Sequence, residues 1–260
     1  MKDEAGMNGV LEEAGIRAER NSAENLGYYA GLEDFLSGET IGEILKMSSF
    51  AVYTPRQVIT DFLARIDLFR MILEVPGSIV ECGVFNGQGL MTFAQASAIF
   101  EPNNLSRMLY GFDTFEGFRG VAPEDARGNS GFLKEGGMGL DSFERLNRAI
   151  KLYDRNRFIG HVEKVRLVKG DILETLDPFL EENPHLLVAL LYLDLDLYKP
   201  TRHVLERLID RVPKGGIIAF DQLGHPEFPG ETLALLHTLG AGKLELRRFQ
   251  YSSRISYFIR

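Results

Sequence analysis

From Ser78 onward the chain alternates short apolar runs with amphipathic stretches of helical length. SIVECG (78–83), RMLYGFD (107–113), a run near 165–169, LLVALLYLD (186–194) and GGIIAFD (215–221) predict five strands. LLVALLYLD is the most apolar of them, as suits a strand buried on both faces. Helices are predicted at about 87–100, 141–153, 200–211 and 230–239. The chain closes with two strand-like segments, LELRRFQ and RISYFIR, separated by a turn. Strands alternating with helices make a doubly wound, mostly parallel sheet, and the short last connection adds an antiparallel edge strand. The expected fold is a Rossmann-like α/β domain with seven strands.

Upstream the texture differs. Residues 1–40 are polar and Gly-punctuated, expected to be mobile at the start and helical further on. From Ile41 to about Glu74 the pattern is helical. Val58, Phe62, Ile66, Phe69 and Leu73 recur at three- and four-residue spacing and predict one apolar face. Thr54 and Pro55 read as cap and first residue of that helix, and Pro76-Gly77 as its stop. The expected organisation is a helical extension or lid over 1–76 and a ligand-binding domain over 77–260. Its apolar helices have no obvious place in the core sheet, so a homo-oligomer is expected.

Composition narrows the function. A charge of −8 argues against nucleic acid or an anionic membrane as partner, because neither phosphate surface attracts it. No apolar run approaches the roughly 18 residues of a membrane span. The acidic opening stretch does not read as a secretion signal, so a cytoplasmic location is expected. The single cysteine, Cys82, excludes an internal disulfide and a cysteine-based zinc site, and reads as a small buried apolar residue.

Four successive predicted strands end in aspartate: Asp113, Asp171, Asp194 and Asp221. Open parallel sheets bind ligands beyond the carboxyl ends of their strands, so these acids are expected on one rim. The competing reading is local, since an Asp leaving a strand often accepts from backbone N–H groups of the following turn. The loop after the first strand runs Glu81-Cys82-Gly83-Val84-Phe85-Asn86-Gly87-Gln88-Gly89. Its E-x-G-x-x-x-G-x-G spacing is not the dinucleotide fingerprint. An acid such as Glu81 at the strand end suits a cationic ligand, such as the ammonium and sulfonium of S-adenosylmethionine. Asp113 is then placed to accept the ribose hydroxyls and Asp171 the adenine amino group.

On the fourth and fifth strands, Asp194 and Asp221 read as neighbours able to share a divalent cation such as Mg²⁺, with Gln222 as a third oxygen donor. Asp196 and His225 are the candidate bases, His225 having the pKa suited to neutral pH. The Gly-rich stretch 120–140 reads as a lid or binding loop.

VPGSIVECGVFNGQG, GFDTFEGF, VRLVKGDILETL, LLYLDLDLYKPT and VPKGGIIAFDQ follow one another in an order that resembles the macrocin O-methyltransferase-like family, over about residues 50–235. The resemblance implies a class I methyltransferase that uses S-adenosylmethionine to methylate a sugar hydroxyl of a nucleotide sugar or glycosylated natural product. It implies Glu81 and Gly83 in the donor loop, Asp113 at the ribose, Asp194 and Asp221 as metal ligands, with Asp194 also serving catalysis, and Asp196 as base. Where the family has two adjacent aspartates, this chain has Asp221-Gln222. A catechol or phenol methyltransferase, and a non-catalytic S-adenosylmethionine-binding protein, are the alternatives.

Overall fold

A computed structural model describes residues 22–260. The opening stretch, read above as mobile and without a secretion signal, lies outside the described residues. The chain divides into two compact units, one ending at Ile59 and the other spanning Thr60–Arg260. The first holds helices α1 (Ala23–Gly38), α2 (Glu43–Ser48) and α3 (Phe50–Tyr53). Within it the Phe35 and Tyr53 rings stack at 5.6 Å, while Ile44, Met47, Phe50 and Val52 are exposed.

The second unit begins inside helix α4 (Arg56–Met71) and continues as β1 (Ser78–Cys82), α5 (Gln88–Phe100), β2 (Leu109–Asp113), α6 (Phe143–Asn156), β3 (Val165–Lys169), α7 (Ile172–Glu182), β4 (Val188–Leu193), α8 (Tyr198–Leu208), β5 (Ile217–Phe220), α9 (Gly230–Thr238), β6 (Arg247–Arg248) and β7 (Ser256–Ile259). The sheet runs β3-β2-β1-β4-β5-β7-β6. The first five strands are parallel and β7 is antiparallel to both β5 and β6. The two-residue β6, rather than β7, forms the outer edge.

Every residue of the central strands β1 and β4 is buried. Alternate residues therefore enter opposite cores. Ile79, Leu190 and Tyr192 pack with Leu68, Phe69 and Phe93, whereas Val80, Leu191 and Phe220 pack with Leu176, Val204 and Leu208. This parity also directs the polar residues. Glu81 lies opposite Tyr192 in register, on the side that receives α4.

That pairing explains a difference from the expected α4 face. Ala64, Arg65, Leu68 and Phe69 are its buried residues, whereas Val58, Phe62 and Leu73 are exposed. Of the predicted stripe only Phe69 is fully buried. The helix carries two apolar stripes, and the sheet takes the one that brings Arg65 to Glu81 and Tyr192. Thr54 is extended and ends α3, so α4 starts one residue later than the proline signal placed it.

Candidate functional site

One half of the rim is built by β1, β2 and β3. Gly83 follows β1 with φ +92°, and a Cβ there would overlap the Asp194 carbonyl oxygen. Only glycine lets the β1 exit cross the β4 exit so closely. The loop beyond it is held by Asp113. Its Oδ2 accepts from the Val84 and Phe85 amides, both at 2.8 Å, and its Oδ1 from the Phe115 amide at 2.6 Å. Asp113 is thus first a loop organiser.

Asp171 is the N-cap of α7, its Oδ1 accepting from Leu173 N–H at 2.9 Å. The local reading of strand-end aspartates describes Asp171, whereas Asp113 adds to its local bond from Phe115 two bonds from the loop after β1. Between the ends of β2 and β3 opens a cavity of about 480 Å³ lined by Phe115, Glu116, Leu140, Asp141 and Lys169.

Glu81 is not solvated; its carboxyl lies at the first turn of α5, against Gly89 and the Leu90 amide. It is 1% exposed, beneath the glycine loop, and its Oε2 has no hydrogen-bond partner. Burial pushes its carboxyl up to about 8, against the pull of Arg65.

The other half of the rim lies on β4 and β5, where the parity that buries Tyr192 brings Asp194 and Asp221 to the same side. Arg65 reaches both: its Nη2 lies 3.9 Å from Asp194 Oδ2 and 3.8 Å from Asp221 Oδ1. Its guanidinium also stacks 4.6 Å from the Tyr192 ring centroid. Asp221 Oδ1 accepts from the Tyr192 hydroxyl at 2.7 Å, and Oδ2 is bridged by Arg254 through Nε and Nη2. Burial alone would raise the Asp221 carboxyl, but Arg254 and Arg65 hold it below the usual carboxylate range. Asp194 keeps a quarter of its side chain exposed and makes the weaker contact. Burial, with Asp221 and Asp196 beside it, pushes its carboxyl well above the ordinary value.

Asp196 is buried in the loop after β4 at φ +60°, a left-handed conformation that side chains rarely adopt. It is not the cap of α8, whose N-cap is Leu197. His225 lies in the loop after β5, its ring 6.4 Å from that of Phe228 and its N–H directed to the Gln222 carbonyl. Glu231, fully buried at the start of α9, accepts from Leu195 and Asp196 amides at 2.9 and 3.2 Å and from Gln222 N–H at 3.3 Å. Burial, then Asp196 and Asp221, push its carboxyl up to about 8.

The structure thus joins Asp194 and Asp221 through Arg65, and joins the Asp196 and Gln222 loops through Glu231. Arg65, Tyr192, Arg254 and Glu231 were not singled out from sequence. The available signal was charge balance: apolar strands delivering acids into a core require cations, and Arg65 is the one basic residue among the apolar positions at the middle of its helix.

The strand order, with an antiparallel strand beside β5 and acids gathered at the carboxyl edge of the parallel strands, is that of the class I methyltransferase fold. The model of the macrocin O-methyltransferase family matches residues 64–229. The chain belongs to that family. A crystal structure of CalS11, a calicheamicin methyltransferase, is 34% identical over 92% of this chain and 94% of its own, with a TM-score of 0.88. Its apo structure, described as a TDP-rhamnose 3'-O-methyltransferase of calicheamicin biosynthesis, has the same identity, coverage of 92% and 96%, and a TM-score of 0.80. The O-methyltransferase NovP, 21% identical over 78% of this chain and 80% of its own with a TM-score of 0.57, shares the fold. No curated protein matches the chain.

Proposed function

We propose that this protein transfers the methyl group of S-adenosylmethionine to a sugar hydroxyl, on a nucleotide deoxysugar or a glycosylated natural product. The observation that carries the reading is the crevice where the Asp113-ordered glycine loop and the Asp194–Asp196 segment leave adjacent parallel strands. Family membership supports the methyl donor, and the activity described for CalS11 supports the acceptor class.

The cavity beside Phe115, Glu116 and Lys169 suits the adenosine end of the donor, with Glu81 acting on the methionine end through the loop above it. Asp196 takes the acceptor's hydroxyl proton. The oxygen lone pair then forms the new C–O bond as the S–C bond breaks, and the sulfur leaves as a neutral thioether. Holding both reactants in line removes much of the barrier. Asp196 is preferred over His225 as base because it is buried and kept in a strained conformation, as functional residues often are.

The magnesium implied by the resemblance meets a donor set that does not fit it as arranged. Both oxygens of Asp221 are engaged by Tyr192, Arg65 and Arg254, and Gln222 brings no charge. Among the described residues, no three carboxylate, histidine or cysteine side chains are grouped to hold an ion. A divalent ion at Asp221 requires Arg254, whose side chain is half exposed, to leave first. Arg254→Gln should therefore tighten Mn²⁺ binding by about tenfold, read by spin resonance.

The ligand-binding domain proposed from the sequence covers 77–260; the contribution of Arg65 argues for extending it back to Thr60. Exposed Ile44, Met47, Phe50 and Val52 support the proposed self-association, which light scattering tests. A cytoplasmic placement is proposed, with which the free, buried Cys82 is consistent; no described helix is long and apolar enough to cross a membrane.

The deciding experiment is mass spectrometry with isotopically labelled donor against nucleotide sugars, glycosylated scaffolds and catechols. Labelled methyl on sugars alone is expected. Labelling of catechols alone, or tight donor binding with no labelled product, would reject this reading. Asp196→Asn should abolish turnover while retaining donor binding, and His225→Asn should not.

A further inference from the structure

The loops that carry Asp196 and Gln222 leave two adjacent strands, and nothing in their own sequence dictates their mutual position. Both are fastened to one side chain. Glu231 Oε1 accepts from the Leu195 and Asp196 amides, and Oε2 from the Gln222 amide. The neighbouring Thr232 accepts from the Gly224 N–H through its Oγ1 at 2.9 Å.

A second buried acid works beside it. Asp125 accepts from Ala122 N–H at 2.8 Å and from Tyr198 N–H at 2.7 Å, which ties the 120–140 stretch to the start of α8. Between the two acids sits Gly230, where a Cβ would overlap the Asp125 carboxylate, the Asp196 carbonyl and the Tyr198 amide. The first turn of α9 is therefore packed against the backbone of the proposed base without an intervening side chain.

We propose that Glu231 is a positioning residue for methyl transfer: its carboxyl group fastens the Asp196 and Gln222 loops together and holds Asp196 in its left-handed conformation, aimed at the acceptor. The lock needs an acceptor at both oxygens, because all three partners are donors. A glutamine supplies one acceptor oxygen and turns an NH₂ toward a backbone N–H, so it cannot satisfy both loops. An aspartate keeps both acceptors but is one methylene short. The left-handed conformation of Asp196 costs free energy that the hydrogen bonds from the Leu195 and Asp196 amides help offset. Asp113 organises the donor loop independently, through different amides, so loss of Glu231 should leave the donor loop intact.

This inference rests on the methyltransferase reading, and the experiment separates the two. Glu231→Gln, Glu231→Asp and wild type are compared by hydrogen exchange of the 195–198, 222–225 and 84–89 segments, by calorimetric binding of S-adenosylhomocysteine, and by steady-state kinetics. In Glu231→Gln, exchange should rise by at least about tenfold in the first two segments and stay unchanged in 84–89. Product binding should stay within about threefold while kcat falls by about 30-fold or more at nearly constant KM, with partial recovery in Glu231→Asp.

Unchanged exchange at 195–198 and 222–225 would overturn the lock. A kcat within about threefold of wild type, or a loss of product binding that parallels the loss of kcat, would overturn the positioning role. If Glu231→Gln does not fold, the same measurements on Glu231→Asp decide. If wild type methylates no acceptor, the function assigned above fails while the exchange data still decide the lock.

Discussion

The two halves of the crevice solve one problem differently. Both bring carboxylates out of apolar strands, and each charge must be balanced. On the donor side the balance comes from backbone amides: three for Asp113 and one for Asp171. On the acceptor side it comes from guanidinium groups, with Arg65 and Arg254 converging on Asp221 and Arg65 also facing Asp194. Amides are fixed by the chain path and give a rigid loop. Guanidinium groups sit on long side chains, and Arg254, half exposed, can leave. The β1–β3 half is thereby built rigid, and the β4–β5 half adjustable.

The largest break in this contrast is Arg65→Leu. It would leave Glu81, Asp194 and Asp221 facing one another without the central cation, and removing one partner of a buried ionic cluster costs about 3–5 kcal/mol. Thermal or urea unfolding should show a loss of that order. Loss within the error of wild type would mean that Arg254 alone neutralises the cluster.

Asp113→Ala comes next. It removes an acceptor from the Val84, Phe85 and Phe115 amides together, each unmade bond to a charged acceptor being worth about 1.5 kcal/mol or more. Product binding should weaken by about tenfold or more, and calorimetry should find the acceptor-side variant Arg254→Gln unaffected. Equal losses in both would show that the halves are not independent.

This contrast also sets what the sequence disclosed. β3 lies where the pattern of apolar residues placed it, and β1, β2, β4 and β5 lie within the runs ending at Gly83, Asp113, Asp194 and Asp221. Periodicity is a local property and strands ending on acids are visible in it. The partners of those acids split by distance. Leu173 lies two residues from Asp171 and Phe115 two from Asp113, within reach of local turn rules. Val84 and Phe85 reach Asp113, and Arg65 and Arg254 reach Asp194 and Asp221, only through the sheet's order and register, which no local pattern encodes. The rotation of α4 follows from the same cause, because the choice between its two apolar stripes was made by Glu81 and Tyr192 on the sheet.

A smaller effect tests the one acid that joins both halves. Glu81 has a carboxyl raised from its ordinary value of 4.5 to about 8 by burial, so the folded protein binds a proton there that the unfolded chain releases. Stability from this group is fully present below pH 4.5 and is lost as pH rises toward 8. Glu81→Gln should therefore make the fall in melting temperature between pH 5 and pH 8 shallower than in wild type. Glu231, shifted in the same direction for the same reason, keeps part of the slope. An unchanged slope would mean that Arg65 keeps Glu81 ionised.

The smallest effect is the sharpest test of local against long-range balance. Asp171 was placed from the sequence at the adenine amino group, yet in the structure its Oδ1 accepts from Leu173 N–H at the start of α7. If capping is its whole role, Asp171→Ser should be nearly neutral and Asp171→Ala should cost about 1 kcal/mol. Neither should then change donor-product affinity, since a cap stabilises its helix and nothing beyond it. If Asp171 also receives the adenine, both variants weaken S-adenosylhomocysteine binding in calorimetry, and the serine variant does so with its melting temperature intact. Stability and affinity part company only in that case, because serine restores the cap but does not reach the cavity beside Lys169.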